Sequence, residues 1–179
     1  MTRVKINLNF EGYVSDSSKR IPESPGIYCI YEIKFTPDQK RESVELIYIG
    51  QAQRGKNGNL RTRIQAHGRT DFENKFYTNS YKNEGKRIPK VLYAYSYADM
   101  SDYSTHEIDV AEAALVFRMQ PAENKDFKDA YSKNDVYITL SGKIKDLPDK
   151  PFNLDQGTAY DDYFGLDDTL DWLDDLFQE

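Results

Sequence analysis

A chain of 179 residues can bury one hydrophobic core and is too short for two full domains with linkers. With 39% hydrophobic and 30% charged residues, pervasive disorder is excluded, and no run approaches the roughly 18 apolar residues of a membrane span. The net charge of -6 does not exclude a polyanion partner, because 11 acids and one base lie after residue 145, leaving +4 on residues 1–145 and +7 on residues 51–90.

Residues 4–10 (VKINLNF) alternate apolar and polar with period two, which predicts a half-buried strand. The N-terminal MTRVKINLNF has too short an apolar stretch for a signal peptide, so a cytoplasmic protein with no membrane partner is expected. After the punctuation Ser24-Pro25-Gly26, residues 27–35 (IYCIYEIKF) and 44–49 (VELIYI) are aromatic and β-branched and predict two strands of a hairpin. Their connection exceeds the usual two to five residues, so it does not define the register. Cys29, the only cysteine, stands inside the first of these runs and reads as a buried, reduced thiol, not as part of a disulfide framework.

A basic, glycine-containing stretch follows Gly50, and then residues 60–67 carry a weak helical stripe (Leu60, Ile64) with Asn59 as N-cap. Residues 89–97 (PKVLYAYSY) predict a third strand. The clearest helix spans 108–119, apolar at Ile108, Ala111, Leu115 and Met119 and ended by Pro121; residues 136–140 (VYITL) predict the last strand. The expected fold is a mixed α/β or α+β domain over residues 1–145 with a small, mostly antiparallel sheet flanked by helices. Residues 145–158 read as a linker, and the remainder, with Leu166, Leu170, Leu173 and Phe177 at helical spacing and eight acids in 161–179, as an acidic amphipathic helix.

Several side chains have the chemistry of phosphodiester cleavage, which needs a proton acceptor for water, a cation for the developing charge and an arginine for the phosphoryl oxygens. Glu112, flanked by alanines, suits a Mg²⁺ ion that keeps most of its waters, although taken alone it reads more readily as an ordinary surface or capping residue. Arg63 and His67 lie four apart on one helix face and make an anion clamp, or else a solvated basic face.

Together, Gly26-Ile27-Tyr28 and Tyr48-Ile49-Gly50 on the two hairpin strands, Asn59-Leu60-Arg61-Thr62-Arg63 opening a helix, Glu112 on the next, and Pro121 and Asn124 nine and twelve residues later resemble the GIY-YIG nuclease superfamily over residues 24–126. The strand at 136–140 is part of that likeness, and the spacing from Arg63 through His67 to Gly68-Arg69 is similar to that of GIY-YIG restriction endonucleases. The resemblance implies that Tyr28 and Tyr48 enter the site from neighbouring strands and that one of them, Tyr28 by preference, activates the attacking water. It implies that Arg63 holds the scissile phosphate, Glu112 binds a single Mg²⁺ or Mn²⁺, and Asn124 orients groups around it. A tyrosine ionising near pH 10 is a poor base at neutrality, so His67 is a candidate proton acceptor. Many family members carry a lysine soon after the second tripeptide, where this chain has Gln51-Ala52-Gln53, so Arg54 or Lys56 would supply that charge.

The expectation is a Mg²⁺-dependent endonuclease acting on double-stranded DNA, with Arg54, Lys56, Arg61, Arg69, Lys86 and Arg87 as DNA contacts. The alternative is a weakly catalytic or inactive binding module on the same fold, acting through its acidic tail (158–179) on a protein partner or on its own basic surface.

Overall fold

In a computed structural model, which describes residues 3–38, 40–53, 58–67, 80–83, 86–89, 91–145 and 151–160, the alternation noted near the N-terminus continues further than expected. β1 runs from Val4 to Val14 with Ile6, Leu8 and Phe10 buried on one face and Lys5, Asn7 and Asn9 exposed on the other. β2 (Gly26–Phe35) and β3 (Arg41–Ala52) form the predicted hairpin in antiparallel register, pairing Tyr28 with Gly50 and Ile30 with Tyr48. β3 begins at Arg41, ahead of the apolar segment that announces it, so the connection is shorter than the sequence suggested.

The run read as one strand at 89–97 is divided. Pro89 closes a separate two-stranded hairpin of β4 (Ser80–Asn83) and β5 (Lys86–Pro89), and β6 is Val91–Asp99. A proline has no N–H to give a central strand, and β6 is central: it pairs antiparallel with β2 on one side and with β1 on the other. β7 (Val136–Gly142) lies parallel to β1, and β8 (Phe152–Leu154) lies antiparallel to β7. The six-stranded order is therefore β3-β2-β6-β1-β7-β8, a mixed, mostly antiparallel sheet in an α+β domain. β8 falls inside the stretch read as a linker. Phe152 and Leu154 are buried in the core, and Tyr131 N–H donates to Thr158 O and Tyr160 N–H to Asp129 O, both at 2.8 Å. The acidic helix expected beyond it, residues 161–179, lies outside the described residues.

Two helices among the described residues cover opposite faces. α1 (Leu60–His67) has the predicted bounds; Asn59 caps it, its side-chain oxygen accepting from Thr62 N–H at 2.9 Å. Leu60 and Ile64 pack on Tyr28, Ile30, Tyr95 and Tyr97. α2 (Thr105–Met119) begins earlier than predicted because Ser104 and Glu107 form a reciprocal capping box, and it ends at Gln120 in the left-handed region (φ 50°) before Pro121. Its burial is wider than a stripe, taking in Val110, Ala113, Ala114, Val116 and Phe117 with Ile108 and Leu115. The large apolar side chains contribute about 1.5–3 kcal/mol each. They pack against Ile6, Leu8, Phe10, Ile27, Cys29 and Ile49 on the other sheet face. No helix among the described residues is long and apolar enough to cross a membrane.

Candidate active site

Strand alternation sends Tyr28 of β2 and Tyr48 of β3 to the α1 face, where His67 at the end of α1 meets them. The three rings form a cluster with centroids 6.1 Å apart for Tyr28 and Tyr48, 5.6 Å for Tyr28 and His67, and 5.3 Å for Tyr48 and His67. The Tyr28 hydroxyl and His67 Nε2 share a hydrogen bond of 2.8 Å. Gly50 makes this arrangement possible. A Cβ at that position would stand 2.5 Å from the Tyr28 hydroxyl oxygen and 2.6 Å from Tyr48 Cε1, so the phenol occupies the space that any other residue's side chain would need.

Burial pushes the Tyr28 phenol far above its ordinary value. The neighbouring Tyr48 and Glu112 act in the same direction and Arg63 opposes them. Tyr48 is raised too, by burial first and then by Glu112, with Tyr28 and Arg63 opposing. Both phenols therefore stay protonated at neutral pH, and both feel the charges of Arg63 and Glu112. Arg63 is exposed, on the turn of α1 that precedes His67. Arg61 is two residues away, about 200° around the helix, and turns elsewhere: its Nε donates to Ile21 O at 2.8 Å and its guanidinium pairs with Glu23. Of the two arginines, Arg63 faces the tyrosine cluster and Arg61 ties α1 to the loop before β2.

Glu112 lies on the α2 face of β3 and is half-buried. Its Oε2 accepts from Gln51 Nε2 at 2.9 Å. Burial raises its carboxyl, opposed by the Gln51 hydrogen bond and reinforced by Asp109, with Arg63 lowering it. A desolvated carboxylate of this kind is stabilised as the anion by a nearby cation. Among the described residues no group of three or more His, Cys, Asp or Glu is placed to hold a metal ion. Glu112 supplies hard carboxylate oxygens, the donor type that Mg²⁺ takes.

Asn124 stands differently from the expectation that it would orient groups around an ion. Its Oδ1 accepts from Ile49 N–H at 2.9 Å and its Nδ2 donates to Ile49 O at 2.8 Å. It acts as one residue of a neighbouring strand on the outer edge of β3. Of the expected DNA contacts, Arg54, Lys56 and Arg69 lie outside the described residues, and Lys86 and Arg87 belong to β5, where the backbone alone is described. Three residues at the site went unread in the sequence: Gln51, Gln53 and Asp109. Asp109 is one helical turn before Glu112 and Gln53 two residues after Gln51, so each pair shares a face, and that spacing was the available signal.

No family model, no curated protein and no solved structure matches this chain.

Proposed function

We propose that the protein is a Mg²⁺-dependent endonuclease of the GIY-YIG type that hydrolyses DNA phosphodiester bonds. The observation that carries this reading is the 2.8 Å hydrogen bond between the Tyr28 hydroxyl and His67 Nε2, in a cluster under the joint influence of Arg63 and Glu112. A buried phenol that stays protonated is not itself a base. It becomes one when its own proton has somewhere to go, and His67 is within transfer distance. Tyr28 takes a proton from the attacking water while passing its hydroxyl proton to His67, and the hydroxide so formed attacks phosphorus. Arg63, exposed beside the rings, holds two phosphoryl oxygens through its planar guanidinium. Glu112 would hold the divalent ion, which when bound supplies positive charge to the leaving oxygen. Tyr48 packs against both Tyr28 and His67 and fixes their relative placement.

The test is incubation of the purified protein with plasmid, branched and single-stranded DNA, in Mg²⁺ and in EDTA. Cleavage that requires Mg²⁺, is abolished by Glu112→Ala and is lost without loss of DNA binding supports the reading. Undiminished cutting by the E112A protein refutes it.

A further inference from the structure

Alternation along β3 places Ile49 and Gln51 on the sheet face that α2 covers, opposite to Tyr48 and Ala52, and Gln53, one residue past the strand, reaches Asp109 on the same side. There, four polar side chains join end to end. Gln51 Nε2 donates to Glu112 Oε2 at 2.9 Å; Gln53 Nε2 donates to Gln51 Oε1 at 3.2 Å and to Asp109 Oδ1 at 3.2 Å. The direction of this chain is imposed by chemistry. Ionised carboxylates accept only, so each must meet an amide nitrogen, and Gln51, with its nitrogen committed to Glu112, offers its oxygen to Gln53. Both hydrogens of the Gln53 amide are then used. The Gln51 backbone N–H also bonds the Glu112 carboxylate, so Gln51 holds it from both its side chain and its backbone.

We propose that Asp109, Gln53 and Gln51 form a positioning relay that holds the Glu112 carboxylate in place to ligate a divalent cation, so that cation affinity is set from outside the coordination sphere. This rests on the reading of Glu112 as the ion's ligand. A carboxylate already held in place loses little rotamer freedom when it binds an ion, and outer partners of metal ligands are typically worth about 10–100-fold in affinity. Gln53 is exposed and Asp109 half-buried, so the lower end of that range applies.

The probe is Mn²⁺, titrated by EPR into the full chain without DNA, counting only the site that Glu112→Ala removes; this separates it from weak binding by the acidic C-terminal residues. Gln51→Ala raises the Mn²⁺ dissociation constant about 10-fold without changing the melting temperature, and Asp109→Ala raises it in the same direction. Asp109→Asn retains near-parental affinity, because the asparagine Oδ1 still accepts from Gln53. A relay that is merely packing leaves Mn²⁺ affinity unchanged in Gln51→Ala, which overturns the proposal. An Asp109→Asn variant as weak as Asp109→Ala also overturns it, since the charge of Asp109 would then act directly. If the parent shows no Glu112-dependent Mn²⁺ site, the reading of Glu112 itself falls and the relay falls with it.

Discussion

Replacing Gly50 with alanine isolates one steric contact. The residue sits in a regular part of β3, opposite Tyr28, and its φ is not in the left-handed region, so alanine should adopt the backbone without strain. Conformational entropy alone then favours alanine by about 0.5–1 kcal/mol. Against this, the new methyl lands 2.5 Å from the Tyr28 hydroxyl oxygen and 2.6 Å from both Tyr28 Cζ and Tyr48 Cε1. Tyr28 is fully buried, so its ring has no open solvent to swing into. Overpacking of this kind costs about 1–3 kcal/mol, and displacing the phenol from His67 forfeits a hydrogen bond worth about 1 kcal/mol.

The clash outweighs the entropy gain, and the net loss of about 1–3 kcal/mol lowers the melting temperature by roughly 3–10 °C for a domain of this size. If Tyr28 and His67 move the proton, a displacement approaching 1 Å should also cut cleavage by about 100-fold, while DNA binding is retained. Gly157→Ala is the control. Its φ of +89° imposes strain, but nothing lies within 4 Å of the added methyl, so stability falls by about 1–3 kcal/mol with cleavage unchanged. The measurements are thermal melts and single-turnover cutting of a plasmid. A Gly50→Ala protein that melts at or above the parent temperature and cuts at the parent rate would refute the placement of Tyr28.

Alkaline pH should unfold the protein cooperatively. Burial raises Tyr28, Tyr31 and Tyr131 well above their ordinary value; in the unfolded chain these phenols ionise near pH 10, whereas in the folded chain they do not. Their contribution is intact below about pH 10 and falls at about 4 kcal/mol per pH unit above it, one proton per tyrosine. Circular dichroism and tyrosinate absorbance should therefore change together in one sharp transition, and separate gradual titrations would contradict the burial. Cys29 is fully buried and its thiol is pushed up to about 12 by that burial, so a thiol reagent should label the protein only on unfolding, with one equivalent; labelling of the native protein at a rate near that of a free thiol would exclude this core. Relative to truncation after Tyr160, truncation after Gly157 removes the hydrogen bonds of Thr158 and Tyr160 to the 129–131 segment and should lower the melting temperature. Stronger DNA binding in the first truncation would indicate that the acidic residues shield the protein's own basic surface, and unchanged binding would speak against that.

The parts of the fold legible in the sequence were those in which one local pattern decides the outcome. α1 was bounded correctly because Asn59, Leu60 and Ile64 agree on one helix, and β2 and β3 were located by their aromatic and branched side chains, although β3 runs from Arg41 to Ala52, beyond the expected 44–49. The start of α2 was equally local: Ser104 and Glu107 are a capping-box pair, and attention to the apolar stripe concealed it. β8 was not legible. Three residues after Pro151 are too few for periodicity to register, and they form a strand only because β7 offers an edge and the core accepts Phe152 and Leu154. The grouping of Tyr28, Tyr48 and His67 was expected from the resemblance to the GIY-YIG superfamily, and strand alternation together with the position of His67 at the end of α1 realises it. The placement of Arg61 away from them depends on the loop at Lys19–Glu23, and the Gln51–Gln53–Asp109 chain depends on how α2 crosses β3. Neither of those is a local property.

β3 lies at the edge of the sheet, and Asn124 is bonded to its outer side. An edge strand exposes unpaired N–H and C=O groups and is free to fray or to recruit another strand. Here Asn124 satisfies both backbone groups of Ile49, and Glu123 N–H donates to Ile47 O at 2.8 Å. Those three bonds bracket Tyr48 and end one residue before Gly50. They come from the segment that leaves the C-terminus of α2, the helix that carries Glu112. Strand and helix are thus fastened to each other at the point where the tyrosines and the carboxylate must keep register. The asparagine expected to orient groups around an ion thus joins β3 to the segment that follows α2. Its twelve-residue offset from Glu112 is the length of chain needed to finish the helix, turn at Gln120 and Pro121, and reach back to the strand edge.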